Sequence, residues 1–118
     1  NIVFEGWTDN IISYYKTADT FLNTSNYEGF GMTLVEAAAS DCPIVTTDVG
    51  IVGDILRSEE DILVCPIGDA NCVSERLLRL INSVKLREEL ALKAQTSIEA
   101  LEISKEEYLR RMRESWEK

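Results

Sequence analysis

Seven residues separate Glu28 from Glu36 in the run Glu28-Gly29-Phe30-Gly31-Met32-Thr33-Leu34-Val35-Glu36-Ala37. Gly29 and Gly31 let the backbone approach a ligand closely and permit positive φ. The residues after Gly31 form helices well and carry little turn chemistry, which predicts a helix N-terminus there. Free N–H groups at such an end favour an anion such as a diphosphate. Glu36 would lie five residues along, roughly 7 Å at ~1.5 Å rise per residue. From there its carboxylate can accept both hydroxyls of a ribose attached to that diphosphate.

Alternating strands and helices position this run. Ile2-Val3-Phe4 reads as a short strand, followed by a turn at Glu5 to Thr8. Asp9 can cap a helix over Ile11 to Thr17, with Ile12, Tyr15 and Ala18 at helical spacing. Thr20 to Asn23 reads as a strand, Met32 to Ser40 as a helix and Ile44 to Thr47 as a strand. A short helix near Gly53 to Leu56 and a strand over Ile62 to Cys65 follow. This alternation predicts an α/β fold with a parallel sheet, its short apolar strands covered on both faces. The tail is helical. Asp69 can cap a helix whose stripe is Val73, Leu77, Leu80, Ile81 and Val84. A second helix runs from Leu86 to Leu101. Ser104 to Glu107 form a capping box for a third, with Tyr108, Leu109, Met112 and Trp116 on one side.

The 118 residues allow one domain at most. The chain starts at Asn1 without initiator Met or leader and reads as a piece of a longer protein. No apolar run approaches the ~20 residues of a membrane span. Net charge is −9, and residues 1–56 hold one Lys against eight acids. Such a surface repels nucleic acid. Three cysteines with no CxxC and no histidine argue against a zinc site and a disulfide framework, so Cys42, Cys65 and Cys72 are expected as buried thiols of a cytosolic protein. Histidine catalysis within this chain is excluded.

The run Glu28 to Ala37 resembles the signature of retaining glycosyltransferases of the GT-B fold, family four (glycosyl transferases group 1). Val3-Phe4-x-Gly6-Trp7, Tyr15-x-x-Ala18-Asp19, Pro43-Ile44-Val45-Thr46, Gly50 with Asp54-Ile55, and Leu63-Val64 follow the same order. The resemblance implies that residues 1–118 are part of a C-terminal, Rossmann-like donor-binding domain, without its first strands or the N-terminal acceptor domain. The last helix resembles one that packs back across the domain boundary. Departures are Asp41 and Ile51 where the family has Gly, Asp54 where it has Glu, and Asp61-Ile62 where a Gly precedes Leu63.

On this resemblance the intact enzyme transfers a sugar from a nucleoside diphosphate sugar to an unidentified sugar, lipid or protein acceptor, with retention. Glu28, the residue assigned to catalysis, is placed against donor-sugar hydroxyls and positions the sugar. Gly29, Phe30, Gly31, Met32 and Thr33 offer N–H groups to sugar and phosphates, and Glu36 takes the ribose. Leu34 fits a nucleoside contact or a core position; Trp7 fits a base contact or packing; Trp116 fits a contact to the N-terminal domain or local packing. Asp9 and Asp19 fit a helix cap and the turn into a strand. No metal or cofactor is expected. The family's phosphate-binding Arg and Lys lie outside this chain, so the piece alone should be inactive. A cytoplasmic location is expected, with peripheral membrane association of the parent allowed. Rival readings are a non-catalytic scaffold domain of the same fold, and a nucleotide-sugar epimerase or phosphorylase; pyridoxal phosphate would need a pocket lysine, and only Lys16 precedes Lys85.

Overall fold

Ile44-Val45-Thr46-Thr47 is apolar or β-branched throughout, and it forms the central strand of the sheet with all four residues buried. In the computed structural model, which describes residues 1–101 and 105–117, the sheet has three parallel strands. They are β1 (Phe21–Asn23), β2 (Ile44–Thr47) and β3 (Leu63–Cys65), in that spatial order. Phe21 pairs with Ile44, and Val45 pairs with Leu63. Among the described residues five helices accompany them: α1 (Ile11–Thr17), α2 (Met32–Ala39), α3 (Ala70–Ile81), α4 (Val84–Glu99) and α5 (Lys105–Glu117). The parallel α/β architecture thus matches the expectation.

Two buried clusters hold these layers together. Tyr15, Leu34, Ala37, Ala38, Ile44, Leu56, Ile62 and Ala94 pack α1, α2 and α4 on one side of the sheet. Val45, Leu63, Leu80 and Leu90 join α3 and α4 to the other. Small residues on α2 let α4 approach, and Gln95 Nε2 donates to the Ala39 carbonyl at 3.3 Å at the helix end. Asp69 caps α3 as expected, accepting from Cys72 N–H at 3.0 Å, and Ser83 caps α4. Arg79 holds Glu59 through two hydrogen bonds, tying α3 to the turn before β3.

Several expectations change. Ile2-Val3-Phe4 is not a strand; among the described residues no strand lies beside it, and its side chains are exposed. Asn10 occupies the N-cap of α1 one residue beyond Asp9, and its Oδ1 accepts from Ser13 Oγ. Residues 53–56 form turns closed by a Val52–Leu56 bridge: Ile51 O alone collects the N–H groups of Asp54, Ile55 and Leu56, and Gly53 N–H folds back onto Leu56 O, so no ladder of successive helical bonds develops. β1 is covered only in part, with Leu22 exposed, because it lies at the sheet edge. Ile81 and Val84 are also exposed, since the chain turns at Asn82–Ser83 and carries them off the packed face.

The thiol expectation is corrected too. Cys65 and Cys72 form a disulfide, whereas Cys42 is free and buried. The strand–loop–helix connection returns the chain so that the Cα atoms are 5.7 Å apart, within bridging range. Ser104 of the expected capping box, and the side chains of Tyr108, Met112 and Trp116, lie outside the described residues.

Candidate functional site

Gly31 is the N-cap of α2 and adopts φ 89°, the left-handed region expected of a glycine turn. It has no side chain to cap the helix. Leu34 N–H bonds back to Gly31 O at 3.0 Å. Met32 and Thr33 precede it, and helix geometry gives their N–H groups no partner within α2. The helix therefore opens with donors directed outward, in the place predicted.

A neighbouring loop fixes this opening. Ile51 N–H donates to Phe30 O at 3.0 Å, and Gly50 lies against Phe30 and Gly31. A Cβ at Gly50 would stand 2.6 Å from Phe30 O, so only glycine fits. Thr47 Oγ1 donates to Ser25 O at 2.5 Å, fastening the start of the run to the end of β2.

The two glutamates sit on opposite sides of the opening in sequence, and each has a partner. Ser25 Oγ donates to Glu28 Oε1 at 2.9 Å, and Ser25 N–H donates to Asn23 Oδ1 at 3.3 Å. Asn23 Nδ2 continues the network to Thr46 Oγ1. Glu36 Oε2 accepts from the Tyr15 hydroxyl at 3.2 Å. Burial first, and then the charge of Glu36, push the Tyr15 phenol up to about 12. Tyr15 therefore remains a donor at neutral pH. Its ring stacks edge-on with Phe21 at 5.4 Å, which fixes where the hydroxyl points.

Gly29, Phe30, Gly50, Ile51, Asp54 and Arg111 line a cavity of about 260 Å³ beside the loop. The Arg111 guanidinium lies 5.4 Å from the Phe30 ring centre and bonds to Glu107 at 2.8 Å. A second cavity, about 230 Å³, lies at the carboxyl ends of the strands between Thr24, Asn26 and Thr47 on one side and Gly68 to Ala70 on the other. Carboxyl ends of parallel strands are where ligands of open α/β sheets bind.

The structure thus brings Gly29, Phe30, Gly31, Met32 and Thr33 to one opening, with Glu28 before it and Glu36 on the helix behind it. Leu34 is fully buried in the core. Trp7 is 91% exposed. Two partners were not assigned from sequence. In the sequence Tyr15 belongs to an amphipathic stripe and to the Tyr15-x-x-Ala18-Asp19 run, and its link to Glu36 spans 21 residues. Arg111 carried no signal at all, since a basic residue on a charged helix is ordinary.

Three of the departures, Asp41, Ile51 and Asp61, find a structural place. Asp41 takes the left-handed conformation, φ 59°, that glycine adopts most easily. Ile51 is buried in the core while its N–H holds Phe30. Asp61 is buried and accepts from Arg57 N–H and Ser97 Oγ, linking the turn to α4. Among the described residues, no helix is long and apolar enough to cross a membrane, and no cluster of three or more Cys, Asp or Glu is placed to hold a metal ion.

A family model described as "Glycosyl transferases group 1" matches residues 1–97. N-acetyl-alpha-D-glucosaminyl L-malate synthase of Bacillus anthracis is 27% identical over 97 residues, 82% of this chain and 26% of that protein. The C-terminal domain of a glycosyl transferase group 1 family protein (LpcC) from Francisella tularensis superposes with a TM-score of 0.75 at 27% identity, covering 85% of this chain and 51% of that one. S. aureus TarM, solved with fondaparinux, alpha-GlcNAc-glycerol and UDP, shares the fold with a TM-score of 0.82 at 24% identity, over all of this chain and 24% of its own. The chain spans about a quarter of the length of that synthase, and as little as 6% of other curated relatives it matches.

Proposed function

The chain belongs to the glycosyl transferases group 1 family, and on that premise we propose that it is the donor-binding part of a retaining, hexosyl-transferring enzyme of family four. Its substrate is a nucleoside diphosphate sugar, and the whole protein passes the sugar to an acceptor hydroxyl. The observation that carries this reading is the uncapped start of α2 at a left-handed Gly31, flanked by Glu28 and Glu36.

The diphosphate sits at the N–H groups of Met32 and Thr33, where the helix dipole favours negative charge. Departure of the nucleoside diphosphate increases that charge, so the same donors stabilise the transition state more than the ground state. Glu36 accepts the ribose hydroxyls, held in place by Tyr15. Glu28, steadied by Ser25, accepts hydroxyls of the transferred sugar and so orients its anomeric carbon. Attack occurs on the face the diphosphate leaves, with the leaving phosphate taking the acceptor proton, and Glu28 forms no covalent bond. The cytoplasm, where nucleotide sugars are made, is the proposed location, with a membrane-bound acceptor compatible with it.

Calorimetric titration of the full-length protein with UDP-, GDP- and ADP-sugars tests this. One donor should bind, and Glu36→Gln should weaken it about ten- to hundredfold, the cost of hydrogen bonds to a charged acceptor. The glutamine keeps an acceptor for Tyr15, which Glu36→Ala would strand. A folded protein that binds none of the donors would favour the non-catalytic scaffold of the same fold.

A further inference from the structure

The Cys65–Cys72 disulfide spans the connection that forms one wall of the cavity at the strand ends. Cys65 ends β3 and Cys72 lies in the first turn of α3. The residues between them are exposed from Pro66 to Asn71, with Gly68 at φ 80°. Outside α3 their backbone bonds are local, Asp69 N–H to Pro66 O and Val73 N–H to Asp69 O, each at 3.2 Å. Opposite stand Thr24, Asn26 and Thr47, which flank Ser25, the partner of Glu28.

The other end of the clasp reaches the opening of α2. Cys65 O accepts from Asp48 N–H at 3.1 Å, and two residues later Gly50 and Ile51 hold Phe30 and Gly31. A contiguous set of short contacts therefore runs from the disulfide to both halves of the motif. Such sets couple sites where one element has two arrangements. An exposed loop whose own hydrogen bonds are local, and whose ends are joined by a reducible bond, can be such an element.

We propose that the Cys65–Cys72 bond is a redox clasp on the donor site, and that its reduction by a dithiol weakens donor binding. The inference rests on the donor-binding reading above. A thiolate of the dithiol attacks Cys72 Sγ, the half-buried sulfur, since Cys65 is buried. The Sγ–Sγ bond breaks and its electron pair leaves on Cys65 Sγ, which takes a proton. The second thiol of the reductant then displaces Cys72 Sγ, leaving two protein thiols and the reductant's own disulfide. Cys42 takes no part: it lies in the core on the opposite side of the sheet's ends, beside Ala18 and Pro43.

The test uses the full-length protein, with UDP-glucose, GDP-mannose and ADP-glucose as probes, before and after dithiothreitol. Differential alkylation with peptide mapping should find Cys65 and Cys72 blocked before reduction and free after it. Donor affinity should fall about fivefold or more on reduction, the lower end of ordinary site-to-site coupling. Amide exchange should quicken over residues 66–72 and 29–32 together. Cys72→Ser should match the reduced protein and ignore the reductant, whereas Cys42→Ala should still respond. Free thiols at Cys65 and Cys72 without reductant would overturn the clasp. So would quicker exchange confined to 66–72 with unchanged affinity. If no probe binds in either state, the donor reading fails, and exchange at 29–32 alone decides whether the clasp reaches that loop.

Discussion

Tyr15 and Glu36 carry the polar contact on which the ribose assignment depends, and its chemistry can be read from pH. Burial and the Glu36 charge push the Tyr15 phenol up to about 12, and burial, with Asp41 and Asp19, pushes the Cys42 thiol up to about 11. Both groups hold their protons more tightly in the folded chain than in the unfolded one, where they titrate near 10 and 9. Their contribution is therefore complete below pH about 9; it is lost from 9 to 11 for Cys42 and from 10 to 12 for Tyr15, on the order of 2 kcal/mol each. Melting temperatures across that range should fall, and Tyr15→Phe should flatten the upper half of the curve. An identical decline in wild type and variant would remove Tyr15 from the account. The same variant should also weaken donor binding by roughly fivefold, since Glu36 loses the hydrogen bond that aims it.

The start of α2 owes its position to a neighbouring loop, so a glycine outside the motif should matter as much as those within it. Gly50 has φ 60° and faces Phe30 O, and Gly53 has φ 89° in open space. An alanine at Gly53 meets only the backbone penalty, about 1–2 kcal/mol. At Gly50 it meets that penalty and the Phe30 carbonyl, so about 2–4 kcal/mol is expected. Denaturant melts of Gly50→Ala and Gly53→Ala would separate the two, and donor affinity should fall only in the first. Equal losses in both would mean that the contact between Gly50 and the motif is not tight. Other elements follow local rules more simply: Asp69 and Ser83 each accept an N–H three residues on, at the starts of α3 and α4.

Taken as a body, the chain leaves apolar surface uncovered. Ile2, Val3, Phe4 and Trp7 are exposed together, and β1 and β3 are the two edges of a three-stranded sheet. Exposed apolar side chains and open edges are surfaces on which chains associate. The 118-residue chain on its own should therefore self-associate across the micromolar range by sedimentation velocity. Phe4→Asp with Trp7→Ser should raise the monomer fraction. A monomer throughout that range, with a sharply cooperative melt, would show that these surfaces are not what limits the chain.

Features that depend on neighbours in the chain were legible without the fold. The period of the apolar residues gave α1, α3 and α4, and short apolar runs between turn signals gave β1, β2 and β3, because those patterns reflect which side of an element faces the core. The spacing of Glu28, Gly31 and Glu36 placed the opening of α2 because helix termini answer to residues within one turn. Ile2 to Phe4 failed that logic, since a strand exists only with a partner to bond. The Tyr15–Glu36 hydrogen bond, the Gly50 contact with Phe30, the approach of Arg111 and the Cys65–Cys72 bridge were decided by tertiary structure. Each joins residues whose proximity depends on the path of the chain between them, and no local propensity encodes that path.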